Sequence, residues 1–211
     1  MRTVKEAEER RNEILDAAER LFTQKGYQKS TVVDILNAVG IAKGTFYYYF
    51  KSKEEVMDAM IERIVLEDVR KAEQIVKDST LTPVQKICGI IQVQQPVNGD
   101  RKDQMLEQFH CPCNAEIHQK SIVQSILCLS PILAEAVRQG IDEGIFHTDY
   151  PQEVMEILIS SGQVLFDPAV VSWGPDVMAE KMEAFLSSME ILLGAERGSF
   201  ECMRELLAAR E

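Results

Sequence analysis

Apolar residues recur at helical spacing along most of the chain, and nowhere do they alternate with polar residues as in a half-buried strand. The first helical pattern covers residues 5–25, and its apolar face is formed by Ile14, Leu15, Ala18, Leu21 and Phe22. Lys25 and Gly26 then supply the cation and the glycine that suit a helix end. From Lys53 a longer pattern continues to Ile75 without glycine or proline. The chain is therefore predicted to be all-α.

Prolines, glycines and capping residues divide the remainder of the chain into further helices. Thr82 and Pro83, with Gln85 behind them, have the order typical of a helix start. Pro131 falls inside a long apolar pattern and should kink that helix, because it removes one backbone hydrogen bond. The predicted segments are about 83–95, 104–109, 114–143, 151–166, 175–193 and 200–209.

Residues 31–53 predict two short helices joined by a tight turn. Thr31 is a good N-cap, and Asp34 stands three residues later, at capping-box spacing. One apolar face follows, and Gly40 stands where a helix end favours a left-handed residue. Two helices joined by a short turn that contains glycine form a helix-turn-helix.

The second short helix has an unusual composition for a core helix. Only Phe46 and Phe50, four residues apart, are fully apolar. The other side carries a cation, a bare backbone, a hydroxyl and phenols, contributed by Lys43, Gly44, Thr45, Tyr47, Tyr48 and Tyr49. Tyrosine clusters also occur in cores and interfaces. A helix of about two turns cannot stabilise itself. A helix this short with such a polar face favours presentation to DNA.

Residues 18–53 resemble the DNA-binding domain of the TetR family of bacterial transcriptional regulators. The resemblance rests on AERLFTQKGYQKSTVVDIL followed by NAVGIAKGTFYYYFKSKEEV, and beyond this region it extends only to size and helical character. One departure is Tyr49, where family members often carry histidine. The resemblance implies a helix-turn-helix domain at residues 1–52 and a helical effector-binding and dimerisation domain at 53–211. It also implies a transcriptional regulator, most simply a ligand-released repressor of a palindromic operator.

Side-chain chemistry and the resemblance together assign roles at the DNA. Thr31, Tyr49 and Lys53 are expected at phosphates. Lys43, Thr45, Tyr47 and Tyr48 are expected along the major groove, where lysine can bind guanine acceptors and a threonine methyl can touch thymine. Gly44 should let the backbone approach closely.

The same resemblance implies a homodimer and a pocket for a small-molecule effector of unknown identity. The helices at about 151–166 and 175–193 are the dimer candidates, although both could serve only their own core. The candidate pocket residues are Met60, Ile64, Met105, Phe109, Phe166 and Trp173. Met and Phe at helical spacing are more often plain core, so this pocket is a hypothesis. No cofactor is implied.

One cluster of His110, Cys111, Cys113 and His118 has metal-like chemistry. Its spacing differs from the familiar zinc knuckle, and a redox pair, a sensing thiol or simple burial would also account for it. Burial without metal is the preferred interpretation. A metal- or thiol-responsive regulator or a redox enzyme built on this cluster is the alternative function. The motifs of common enzyme classes are absent from the sequence, so an enzyme is not predicted.

Charge and cysteine content bear on the compartment and the partner. The net charge is −11, yet residues 1–53 hold ten Lys/Arg and seven Asp/Glu, so the acidic excess lies in the remainder. This asymmetry suits a DNA-binding N-terminal region. The N-terminus lacks a secretory signal pattern, and no apolar run approaches the roughly 18–20 residues of a membrane span. Five unevenly spaced cysteines argue against a disulfide framework, so a cytoplasmic protein is predicted.

Overall fold

A computed structural model of the protein describes residues 2–94, 115–167 and 170–208. These residues form nine α-helices and no strand, which confirms the all-α prediction. The helices are α1 Arg2–Lys25, α2 Val32–Val39, α3 Lys43–Tyr49, α4 Lys53–Lys77, α5 Pro83–Val93, α6 Ala115–Asp142, α7 Pro151–Leu165, α8 Pro175–Leu193 and α9 Glu201–Ala208.

Capping residues fix the helix ends as their sequence predicts. Complete capping boxes form between Thr31 and Asp34 at the start of α2 and between Thr82 and Gln85 at the start of α5. Gly40 takes a left-handed conformation with φ 73° at the end of α2. Because these signals are local, they set helix bounds without help from tertiary packing. The predicted helix at 104–109 lies outside the described residues.

The chain divides into two compact units. Unit 1 contains described residues 2–64 and 115–121, and unit 2 contains 65–94, 122–167 and 170–208. Both α4 and α6 continue without interruption from one unit into the other. Unit 1 has a core of side chains that are nearly or fully buried: Ile14, Leu15, Ala18, Phe22, Ile35, Phe46, Phe50, Val56, Met57, Met60, Ile61 and Ile117.

Unit 2 is organised around a larger apolar cluster drawn from α4–α9. In it the rings of Phe146 and Phe200 stack with centroids 6.0 Å apart. Gly140 packs directly beneath Phe146, since a Cβ added there would lie 2.2 Å from a ring carbon. Gly162 in α7 likewise faces Phe185 of α8 in the same chain, at 3.4 Å from such a Cβ. Gly162 therefore permits close approach of α7 and α8 within one chain.

Within the described residues, a disulfide joins Cys88 of α5 to Cys202 of α9, across 114 positions of sequence. The cysteine spacing did not predict this bond. Cys128 is free.

Among the described helices, α6 alone is long and apolar enough to cross a membrane by length and composition. One such helix is weak evidence, because the core helices of other proteins pass the same test. α6 mixes its apolar residues with polar and charged ones, among them Lys120, Glu135 and Arg138.

Gly140→Ala should destabilise the protein by about 1–3 kcal/mol, because the added methyl must displace the Phe146 ring. Gly89→Ala is the matched control, since its Cβ would lie 3.5 Å from Ile75, an ordinary contact. The control should be unchanged or more stable by up to about 1 kcal/mol, the helix preference of alanine over glycine. Denaturant unfolding compares the two, and equal stability would contradict the packing described.

Candidate nucleic-acid interface

The start of α2 is a hydrogen-bonded corner centred on Asp34. The Thr31 hydroxyl accepts from the Asp34 backbone N–H at 3.2 Å and donates to Asp34 Oδ2 at 2.6 Å, and the Thr31 N–H donates to the same oxygen at 2.7 Å. Lys25 Nζ, from the last turn of α1, lies 2.6 Å from it. The bond from Lys25, and then those from Thr31, lower the pKa of Asp34 to about 2. The sequence marks Lys25 only as a helix-end cation, and its bond across to α2 depends on tertiary packing.

Two buried aromatic rings hold α3 in place. Phe46 is 0% exposed and Phe50 1% exposed, and their centroids lie 6.0 Å apart. Ala42 precedes α3 and makes no side-chain cap. A seven-residue helix without such a cap depends on tertiary contacts for its existence. Burial of these two phenylalanines supplies such contacts on one side of α3.

The opposite side of α3 is open to solvent, and we call Lys43, Gly44, Thr45, Tyr47 and Tyr48 the reading face. Tyr48 is 78% exposed and Tyr47 46% exposed. Lys43 Nζ lies 5.8 Å from the centroid of the Tyr47 ring. Tyr49 is half-buried and meets Tyr48 edge-on at 4.9 Å. The Tyr47 and Tyr48 rings thus remain exposed to water beside Lys43 and do not pack into the core.

Gly44 has no structural requirement for glycine. Its φ is not positive, and a Cβ added to it would meet no atom within 4 Å. Glycine inside a helix is destabilising by roughly 1 kcal/mol relative to alanine. The bare backbone at Gly44 is therefore not explained by contacts within the chain.

Lys53 is held in an arrangement that the sequence did not predict. Its ammonium donates to the backbone carbonyls of Tyr27 and Ser30, both at 3.0 Å, and lies 4.0 Å from the centroid of the Tyr27 ring. Burial, and next the Glu54 carboxylate, raise the pKa of the Tyr27 phenol, which stays neutral. Two of the three ammonium donors of Lys53 are thus used, leaving one for another acceptor.

The candidate effector residues are distributed over both units. In unit 1, Met60 is buried and Ile64 half-buried, and in unit 2, Phe166 and Trp173 are half-buried. The Trp173 indole donates to the Leu165 carbonyl at 2.8 Å. Met105 and Phe109 lie outside the described residues. A cavity of about 540 Å³ is lined by α8, α9 and their connection, and no candidate residue borders it. The predicted pocket stays a prediction.

Of the proposed metal cluster, only His118 is among the described residues, where it is half-buried in α6. His110, Cys111 and Cys113 lie outside them. Within the described parts of the chain, no group of three or more possible ligands is close enough to hold a metal ion.

Two family models match the sequence. One, described as bacterial regulatory proteins of the tetR family, matches residues 14–60. The other, described as a tetracyclin repressor-like C-terminal domain, matches residues 96–188. The first covers α2, α3 and the start of α4, and the second covers most of α6–α8.

Individual relatives agree with these matches. The HTH-type transcriptional repressor KstR2 of Mycobacterium tuberculosis is 27% identical over 150 residues, which cover 66% of this chain and 70% of that protein. The fatty acid metabolism regulator protein of Bacillus subtilis is 30% identical over 139 residues, covering 63% and 71%. A similar fold is found in SmeT, the repressor of the Stenotrophomonas maltophilia multidrug efflux pump SmeDEF, with a TM-score of 0.63, 24% identity and coverage of 90% and 92%.

Asp34→Asn should lower stability at neutral pH by weakening the corner of α2. The folded pKa is about 2 and the ordinary value 3.8, so the carboxylate stabilises above pH 3.8 and this stabilisation is lost as pH falls through about 2. Denaturant unfolding should therefore show a difference in the free energy of unfolding between wild type and variant that disappears on acidification. In Lys25→Met, NMR titration should find the Asp34 pKa raised. A difference in the free energy of unfolding that does not change with pH would contradict this account.

Proposed function

The chain belongs to the TetR family of bacterial transcriptional regulators, and from this premise we propose that it is a repressor that binds its operator as a homodimer and is released by a small-molecule effector. The observation that carries the proposal is the reading face of α3. It combines exposed tyrosines, a cation and an open backbone on a helix anchored from behind. The comparisons do not favour the metal or redox alternative, and no catalytic activity is proposed.

The reading face suits the major groove of B-DNA. Lys43 can donate to guanine O6 or N7, and the Thr45 methyl can touch a thymine methyl. Tyr47 and Tyr48 supply phenol donors and apolar ring surface along the same helix. Gly44 lets the α3 backbone approach the base edges.

Phosphate contacts would fix the register of this helix on the duplex. Lys53 has one ammonium donor left for a phosphate, and the Tyr49 hydroxyl is a second donor. Both donors of Thr31 are directed at Asp34, so its phosphate contact stays a prediction.

We assign DNA binding to residues 1–52 and effector binding with dimerisation to residues 53–211. Large apolar side chains remain exposed along α7 and α8, among them Ile157 at 56% and Ile191 at 76%. We propose that these side chains belong to one apolar surface, which would mark a protein interface. Two copies of α7 and α8 paired about a two-fold axis would form a four-helix bundle. To bind a palindromic operator, such a dimer must present two copies of α3 to successive major grooves, roughly 34–36 Å apart.

Effector binding by the helical body is supported by a neighbour of the same fold. SmeT has been solved in complex with triclosan, at a TM-score of 0.61 and 23% identity to this chain. The chemistry of the effector of this protein is not assigned. We propose a cytoplasmic location, where the DNA is, and in that reducing compartment thiol exchange can open the Cys88–Cys202 bond.

The decisive experiment titrates the protein against DNA from upstream of its own gene. Tight, salt-dependent binding that survives random-sequence competitor, at two protomers per site, is the expected result. Binding that competitor abolishes would contradict operator recognition at that site. A folded dimer that binds no DNA at all would overturn the function.

Gly44→Ala separates DNA recognition from stability. Alanine should stabilise α3 by up to about 1 kcal/mol, because its methyl meets no atom within 4 Å in the chain. The same methyl should weaken operator binding by about tenfold, roughly 1.4 kcal/mol, by keeping the backbone from the bases. Gly89→Ala, outside residues 1–52, should leave binding unchanged. A stabilised Gly44→Ala protein with wild-type affinity would remove this helix face from the interface.

Ile157→Asp and Ile191→Asp should each convert the dimer to monomer, because a carboxylate would be buried at the interface. Light scattering at increasing protein concentration measures the change, and operator affinity should fall with it. Val33→Asp is the control, since Val33 is 61% exposed on α2, outside the proposed interface. A stable dimer in both isoleucine variants would place the interface elsewhere.

A further inference from the structure

Arg11 of α1 lies beside the end of α3, although the two are far apart in sequence. Its guanidinium carbon is 5.2 Å from the centroid of the Phe50 ring. Phe50 directly follows Tyr49 and caps the end of α3. The next residue, Lys51, is exposed. Arg11 was not predicted at this position, because none of its neighbours on α1 indicates a contact with α3.

The guanidinium of Arg11 contacts the Phe50 ring but has no acidic partner among the described residues. Within the described parts of the chain it has no hydrogen bond or ion pair. By contrast, neighbouring Arg10 pairs with Glu13 at 2.5 Å, and Arg63 bonds Asp16 and Glu19. An arginine whose face lies on a ring keeps its N–H edges available, and those edges match phosphate oxygens. Arg11 is therefore oriented by Phe50 and retains its donors.

We propose that Arg11 is an additional DNA-contacting residue that binds a backbone phosphate next to the groove occupied by α3. The inference rests on the proposed function and extends the DNA interface from α2, α3 and the start of α4 to α1. Because phosphates carry no sequence information, this contact adds affinity and register rather than base preference. Each phosphate neutralised releases counterions, so its contribution must appear in the salt dependence.

The test compares Arg11→Met with Arg10→Met on two duplexes, one from upstream of the gene and one of random sequence. Both substitutions remove one positive charge and keep an unbranched stem, but Arg10 is already paired with Glu13. Arg11→Met should reduce the magnitude of the slope of log affinity against log salt by about one. It should weaken binding to both duplexes by the same factor. Arg10→Met should leave the slope unchanged, and Arg11→Lys should restore it.

A purely structural role for Arg11 gives a different result. If the residue only covers the Phe50 ring, Arg11→Met lowers thermal stability or leaves it unchanged while the salt slope stays at the wild-type value, and the proposal is wrong. Equal slopes for the Arg11 and Arg10 variants also overturn it. If the wild type binds its own upstream DNA normally, these outcomes reject Arg11 alone. If the wild type binds neither duplex, the proposed function fails together with it.

Discussion

Burial of Phe46 and Phe50 is the interaction on which the DNA-facing surface depends. α3 has seven residues and no side-chain cap at its start, so it is too short to persist by its own hydrogen bonds. Two rings spaced four residues apart bury one side completely, and burial of each is worth roughly 2–3 kcal/mol. These buried rings also fix the position of the solvent-exposed side of α3. Tyr47, Tyr48 and Lys43 can be presented only because the anchoring is done from behind.

Polar bridges between helices then hold this anchored helix within unit 1. Arg63 of α4 bonds Asp16 and Glu19 of α1, and Lys53 at the start of α4 bonds the carbonyls of Tyr27 and Ser30. The Arg63 contacts are part-buried and Glu19 is only 7% exposed, so removing Arg63 would leave a buried carboxylate without that partner. Each contact joins residues that are 23 to 47 positions apart in the sequence. Lys53 is the clearest case, because it ties the turn after α1 to the helix that follows α3.

Local signals explain how much of this fold the sequence predicts. The caps at Thr31, Gly40 and Thr82 act on residues within one turn, so the predicted helix bounds agree with the structure. The anchoring and exposed sides of α3 also follow from local spacing. Pairings set by tertiary packing were not predictable in the same way: Lys53 meets Tyr27 across 26 positions, and Cys88 meets Cys202 across 114. Arg11 beside Phe50 belongs to the same group, as neither residue carries a local sign of the other.

Features that weaken the isolated chain are concentrated on one side of α3. Gly44 forgoes helix stability where alanine would fit, and Tyr48 leaves most of its ring in water. Backbone conformation does not require glycine at position 44, since its φ is not positive. Packing does not require an exposed tyrosine at position 48, since Phe46 and Phe50 already fill the core. A partner that supplies the missing contacts accounts for both at once. DNA fits that partner, because its grooves offer acceptors to Lys43 and the phenols while its phosphates attract the basic N-terminal region. The acidic excess of the rest of the chain opposes DNA, which confines the attraction to the part of the molecule that carries the reading face.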